Sequence, residues 1–185
     1  MSRFLLGCVS ALAMAASLAL ADQDCTDLCQ ASFYQTATVD TVQQMLDQGA
    51  LVTATDSAGK TPLHWVAQAS PDIVDVLIAA GGDVNAKDDL GRSAFHFTSA
   101  TASPEIVTLF IQAGADVNGR TASDWTPLHG AAKFGSPENI RVLIEAGADA
   151  SLTNEMGESP FDLATTNARM KDTPEFDVLE EAAKP

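Results

Sequence analysis

Three histidines are the only imidazoles in the chain, and they recur at even steps: His64, His96 and His129, separated by 32 and 33 residues. Imidazole is the commonest metal ligand and the side chain best placed for proton transfer near neutral pH, so three of them invite a metal or catalytic reading. Their surroundings argue against it. Each closes the same four-residue phrase, Thr61-Pro-Leu-His64, Ser93-Ala-Phe-His96 and Thr126-Pro-Leu-His129, and a fourth copy, Ser159-Pro-Phe-Asp162, puts a carboxylate in that place. Equivalent positions in successive copies are held one unit apart. Packed helices lie about 8–10 Å from one another, which would set the first and third rings roughly 20 Å apart, whereas ligands sharing a zinc ion sit about 2 Å from it. The three rings are expected to be structural, not a site.

Cys25 and Cys29 are the next chemical candidates. At a separation of four residues their Cα atoms would be about 6 Å apart on a helix, within the range of a disulfide. A structural bridge is favoured over free thiols, a redox pair or two metal thiolates, because no His precedes His64 to complete a metal site. Asp88-Asp89 at a loop tip offers either a weak cation site or a solvated turn, and the solvated turn is expected. The chain contains no glycine-rich phosphate loop, no nucleophile elbow and no His-Glu-x-x-His motif. No enzyme activity and no cofactor are expected.

The elements that carry these residues follow from a second phrase. Gly49, Gly81, Gly114 and Gly147 each lie 12 residues before the next Thr or Ser of the first phrase. Two phrases in phase at about 33 residues mark one supersecondary unit copied along the chain. In one copy, Thr126-Pro127 starts a helix, with Thr as N-cap and Pro at the first turn, where no N–H is needed. Ser136-Pro137-Glu138 starts a second, and Gly147 ends it. Ser70-Pro-Asp72 and Ser103-Pro-Glu105 repeat that second start. The 32-residue interval reflects one residue missing between Ala67 and Ser70. The apolar face of the second helix is read as Ile73, Val74, Val76, Leu77 and Ile78, then Ile106, Val107, Leu109, Phe110 and Ile111, then Ile140, Val142, Leu143 and Ile144.

Thr-Pro-Leu-His, a second helix, and then Gly114-Ala-Asp-Val-Asn118 or Gly82-Asp-Val-Asn85 together resemble the ankyrin repeat. The resemblance implies an all-α solenoid of stacked helix-turn-helix units joined by short hairpin-like loops. Three full repeats are assigned to residues 56–87, 88–120 and 121–153, between an N-terminal cap at 25–55 and a C-terminal cap at 154–183, in a single domain over residues 22–185. It further implies that the histidine ties neighbouring repeats together, and that a concave face of loop tips and first helices binds a partner protein.

The first 21 residues stand apart. Arg3 precedes an almost unbroken apolar run from Phe4 to Leu20, and Ala19-Leu-Ala21 is a small-x-small cleavage signal before Asp22. This is the pattern of a secretory signal peptide, so a periplasmic or secreted protein is expected, with Cys8 leaving with the leader. With Arg3 gone, 9 basic face 25 acidic side chains. Such a charge repels phosphate backbones and anionic lipids, so neither nucleic acid nor, after cleavage, a membrane is an expected partner. A monomer binding another protein is expected. The alternative is a periplasmic inhibitor or immunity-type protein, for which a strongly basic partner would be the mark, or an accessory factor for a specific enzyme.

Stacking equivalent loop positions singles out Trp125, whose counterparts are Lys60, Arg92 and Glu158. With Phe134, Leu90, Arg92 and Met156 it forms the candidate binding patch, since Trp and Arg are enriched in interface hot spots. The competing arrangement has Trp125 folded over Phe134 with no partner, helped by Asp124 standing where the other loops have Gly59, Gly91 and Gly157 and so permitting a different turn. Trp65 and Phe97, which follow the histidine, are expected in the core.

Overall fold

Proline two residues before the histidine fixes φ for a helical start at Pro62, Pro127 and, in the fourth copy, Pro160; the second start recurs at Pro71, Pro104 and Pro137. The computed structural model describes Cys25 and residues 27–182; the expected leader lies outside the described residues. A 3-10 helix, Asp27–Cys29, is followed by α1 (Ala31–Tyr34), α2 (Val39–Asp47), a second 3-10 helix (Pro62–Gln68), α3 (Pro71–Ala79), α4 (Ala94–Thr101), α5 (Pro104–Gln112), α6 (Pro127–Phe134), α7 (Pro137–Glu145), α8 (Pro160–Ala164) and α9 (Pro174–Ala182). The described residues form no strand, and an antiparallel bridge joins Lys87 and Ser93 at the base of one loop.

Two layers result. Pro62–Gln68, α4, α6 and α8 pack in succession as one layer, and α2, α3, α5, α7 and α9 as the other. The Pro62–Gln68 segment was expected to be α-helical like its counterparts, and is 3-10 instead. The missing residue accounts for this. A 3-10 helix rises about 2.0 Å per residue against 1.5 Å for an α-helix, so seven residues reach at least as far as eight.

The core runs continuously between the layers. Each second helix buries positions i, i+1 and i+4: Ile73, Val74 and Leu77, then Ile106, Val107 and Phe110. The third copy puts Asn139 where the others have Ile73 and Ile106, and buries it with Ile140 and Leu143. Its Nδ2 donates to the carbonyls of Ser99 (3.1 Å) and Ala102 (3.0 Å), closing the C-terminal end of α4, whose last carbonyls lack helical donors. Asn167 does the same for α6, donating to Ala132 (3.0 Å) and Gly135 (3.3 Å). Val76, Leu109, Val142 and Ile144, assigned to the inward face by the sequence, are only half-buried. At the C-terminal end Leu163, Ala164 and Leu179 are buried, while Val178 is 46% exposed and faces outward.

Three ladders of polar contacts stitch neighbouring units. Loop tips bond backbone to backbone: Asp89 N–H to Ala58 (3.1 Å), Ala122 to Leu90 (3.2 Å) and Glu155 to Ser123 (3.1 Å). Asn85 donates to the Gly114 carbonyl and accepts from Asp116 N–H, and Asn118 repeats the pair with Gly147 and Asp149. The histidines supply the third ladder. At the N-terminal end Cys25 and Cys29 are joined as a disulfide with Cα atoms 5.4 Å apart. Tyr34 Oη donates to the Leu28 carbonyl at 2.8 Å, and burial of the phenol pushes its pKa well above the usual tyrosine range.

Candidate functional site

Each histidine spends both ring nitrogens inside the scaffold. The Thr61 backbone N–H donates to His64 Nδ1 at 3.0 Å, so Nδ1 is an acceptor and the proton of the neutral ring is on Nε2. Nε2 donates to the Arg92 carbonyl of the next loop at 3.2 Å. His96 accepts from Ser93 N–H (3.1 Å) and donates to Gly119 (3.0 Å) and Trp125 (3.1 Å). His129 accepts from Thr126 N–H (3.1 Å) and donates to Glu158 (3.1 Å). Burial pushes all three pKa values down, which keeps the rings neutral and the Nδ1 acceptors intact. In the fourth copy Asp162 accepts from Ser159 N–H at 2.8 Å. A carboxylate caps its own helix as well as an imidazole does, but has no second arm.

The loops that carry the surface residues share one turn. The side chains of Asp56, Asp88, Thr121 and Asn154 each accept two backbone N–H groups, two and four residues on. The turn needs a left-handed residue, supplied by Gly59 (φ 73°), Gly91 (71°) and Gly157 (77°), and by Asp124 at φ 59°. Asp124 therefore adopts the same turn as the glycines and not a different one. Aspartate tolerates this region better than most residues, and Arg120 pairs with it at 3.2 Å. Asp88, expected in a solvated turn, is buried. Burial alone would raise its pKa; the Arg92 guanidinium at 2.7 Å and the two loop N–H groups outweigh that and hold it low.

The side chains above this common turn differ. In the first full repeat Lys60 Nζ lies 4.5 Å from the Trp65 ring centre and 4.7 Å from that of Phe97. The Arg92 guanidinium also lies 4.7 Å from the Phe97 ring centre. Trp65 and Phe97 are thus half-buried under cations on the loop side, not in the core as expected. Position 130 is the counterpart of Trp65 and Phe97, and there the third repeat has Gly130. A Cβ at Gly130 would approach Ala100 Cβ to 3.3 Å, so glycine lets α4 and α6 close together and leaves no side chain above the seam. The loop position that holds Lys60 and Arg92 holds Trp125. A cation over an aromatic is replaced there by an aromatic beside a glycine.

The consequence is a cavity of about 470 Å³ lined by Leu90, Arg92, Phe97, Trp125, Gly130 and Phe134, among others. It falls within the usual range of binding pockets, about 300–1,000 Å³. Trp125 is half-buried and stacks on Phe134, ring centres 6.5 Å apart and planes within 17°; it fills its own side of the cavity without closing it. Phe134 is 59% and Leu90 58% exposed. Four of the five candidate patch residues therefore meet in one place. Met156, 72% exposed on the next loop, is not in the lining. Gly130 and Phe97 do line it and were missed: the loss of an aromatic in the third copy was visible by superposing repeats, but its effect on the seam was not.

Charge is distributed unevenly around this face. Pro62–Gln68, α4 and α6 carry one charged side chain, Lys133, whereas α3, α5 and α7 carry five carboxylates and Arg141. The acidity of the chain sits mainly on loops and second helices. Among the described residues no group of three or more His, Cys, Asp or Glu is placed to hold a metal ion, and no helix is long and apolar enough to cross a membrane. A profile for ankyrin repeats in three copies matches residues 28–121, 66–154 and 95–171. Those matches, the two-layer stack and the imidazole bridge repeated from unit to unit place the chain in the ankyrin-repeat family.

Proposed function

We propose that this is an exported protein whose work is stoichiometric binding of one partner protein, through the face built from hairpin loops and first helices around Trp125. The carrying observation is the open apolar cavity between α4 and α6, walled by Leu90, Phe97, Trp125 and Phe134. Ankyrin repeats are protein-interaction modules, and an aromatic anchor set in a partly enclosed pocket is the usual energetic centre of an interface. No catalytic group is needed for this role. Export rests on the leader-like first 21 residues and places the protein in a periplasm or outside the cell. The test is capture from that compartment by wild type and Trp125→Ala side by side, together with N-terminal sequencing of the natural protein. A partner retained equally by both proteins overturns the assignment of this face; an N-terminus other than Asp22 overturns the cleavage site.

An inhibitory or accessory role for one enzyme uses the same face. A basic partner of such an enzyme would meet the loop carboxylates of this face, Asp89, Asp124 and Glu155, and not the first helices of the full repeats, which carry none.

A further inference from the structure

Resting on that reading, we propose that the occupant is an extended peptide segment of the partner, seating a bulky apolar side chain in the notch beside Gly130 and a carboxylate against Arg169. A second, more polar pocket of about 280 Å³ adjoins the first, sharing Ala100, Thr101 and Phe134 with it and continuing to Ser136, Asn139 and Arg169. Phe134 is the ridge between the two, so one short segment draped over a single ring reaches both.

The lining inverts the composition of the chain. The sequence has 25 acidic and 10 basic side chains, yet the charged residue in each pocket is an arginine, Arg92 in the first and Arg169 in the second. Arg92 is already answered: its Nε and Nη2 lie 2.8 and 2.7 Å from Asp88, and its plane lies over Phe97. Arg169 is exposed and forms no ion pair within 4.0 Å among the described residues. A guanidinium presents five donors in a fixed fork that suits a carboxylate. The net negative charge of the chain opposes an acidic segment at long range, but beyond about 8 Å that repulsion is screened at physiological salt, leaving the local guanidinium to decide.

The experiment uses fluorescein-labelled nine-residue Gly/Ser peptides with a central Phe and Glu, Gln or Lys one, two or three residues after it. Anisotropy is read on the full chain at 0.15 M salt. At the favoured spacing the Glu peptide should bind about tenfold tighter than its Gln counterpart, and the Lys peptide weakest. Arg169→Glu should reverse the order of Glu and Lys, and Arg169→Gln should level it. Trp125→Ala should weaken all the Phe peptides alike. Absence of binding by every peptide, equal binding of Glu and Lys peptides, or a ranking unchanged by Arg169→Glu overturns the proposal, and none of these touches Trp125-dependent capture of the natural partner. A Trp125-dependent dimer in sedimentation, with peptides unbound, would assign the notch to a second copy of the chain instead.

Discussion

The seam between the first and second full repeats and the seam between the second and third share their turns and inter-repeat hydrogen bonds and differ in the side chains above them. Both have the same left-handed turn, the same imidazole bridge and the same loop-to-loop hydrogen bond. At the first seam Lys60 lies over Trp65 and Phe97. At the second, one repeat on, Arg92 and Phe97 take the places of Lys60 and Trp65, Trp125 takes that of Arg92 and Gly130 that of Phe97, and a cavity opens. The scaffold contacts are between backbone and buried polar groups, so they tolerate the exchange. A repeat protein can thus build a binding pocket without touching what holds it up.

If the scaffold is common to both seams, Leu63→Ala and Leu128→Ala should each lose about 2–5 kcal/mol in urea unfolding, as fully buried leucines do. A loss at one and not at the other would break the equivalence. Acid should act next, and on both seams at once. The folded pKa values of His64, His96 and His129 lie below the unfolded value of about 6.5. Below that pH the unfolded chain binds more protons than the folded one, so stability is full above it and declines as pH falls toward the folded values. Unfolding followed from pH 8 to 5 should show the decline, and His96→Gln should make it shallower. A stability independent of pH over that range would mean that the rings are not held neutral by burial.

Trp125→Lys, which writes the first seam into the second, should change stability by only about 1 kcal/mol while abolishing partner capture. A loss of several kcal/mol would show the indole to be core. The smallest effect is expected at the closed seam. Lys60→Met removes a cation from over two rings and should lose about 0.5–1 kcal/mol of stability, with capture unchanged. If Lys60→Met weakens capture as much as Trp125→Ala does, the binding face extends over both seams and the contrast between them fails.

The fold was legible because each unit announces its own boundaries. A Thr or Ser before Pro starts a helix by local capping, and that chemistry acts within a few residues. The even spacing of His64, His96 and His129 argued that they share no site, while their tying of one unit to the next was what the resemblance to the ankyrin repeat implied. Asn139 was not legible: a polar residue in an apolar helix looks solvent-facing until α4 ends beside it with carbonyls to satisfy. Nor was Asp88, whose burial depends on Arg92 folding back over it. Of the candidate patch, Leu90, Arg92, Trp125 and Phe134 converge because stacking aligns loop tips with the ends of first helices. Met156 lies outside the cavity lining because it belongs to the next unit.

The order of residues alone therefore determined the repeat, its period and its helix starts, even to the exchange of His for Asp162 in the fourth copy. Those are properties of neighbours along the chain, set by capping, proline geometry and apolar spacing. Packing of one unit on the next decided which side chains are covered and which are left open. Only there does the absence of a side chain at Gly130 acquire a size and a shape, because an empty place exists only between surfaces that have already met.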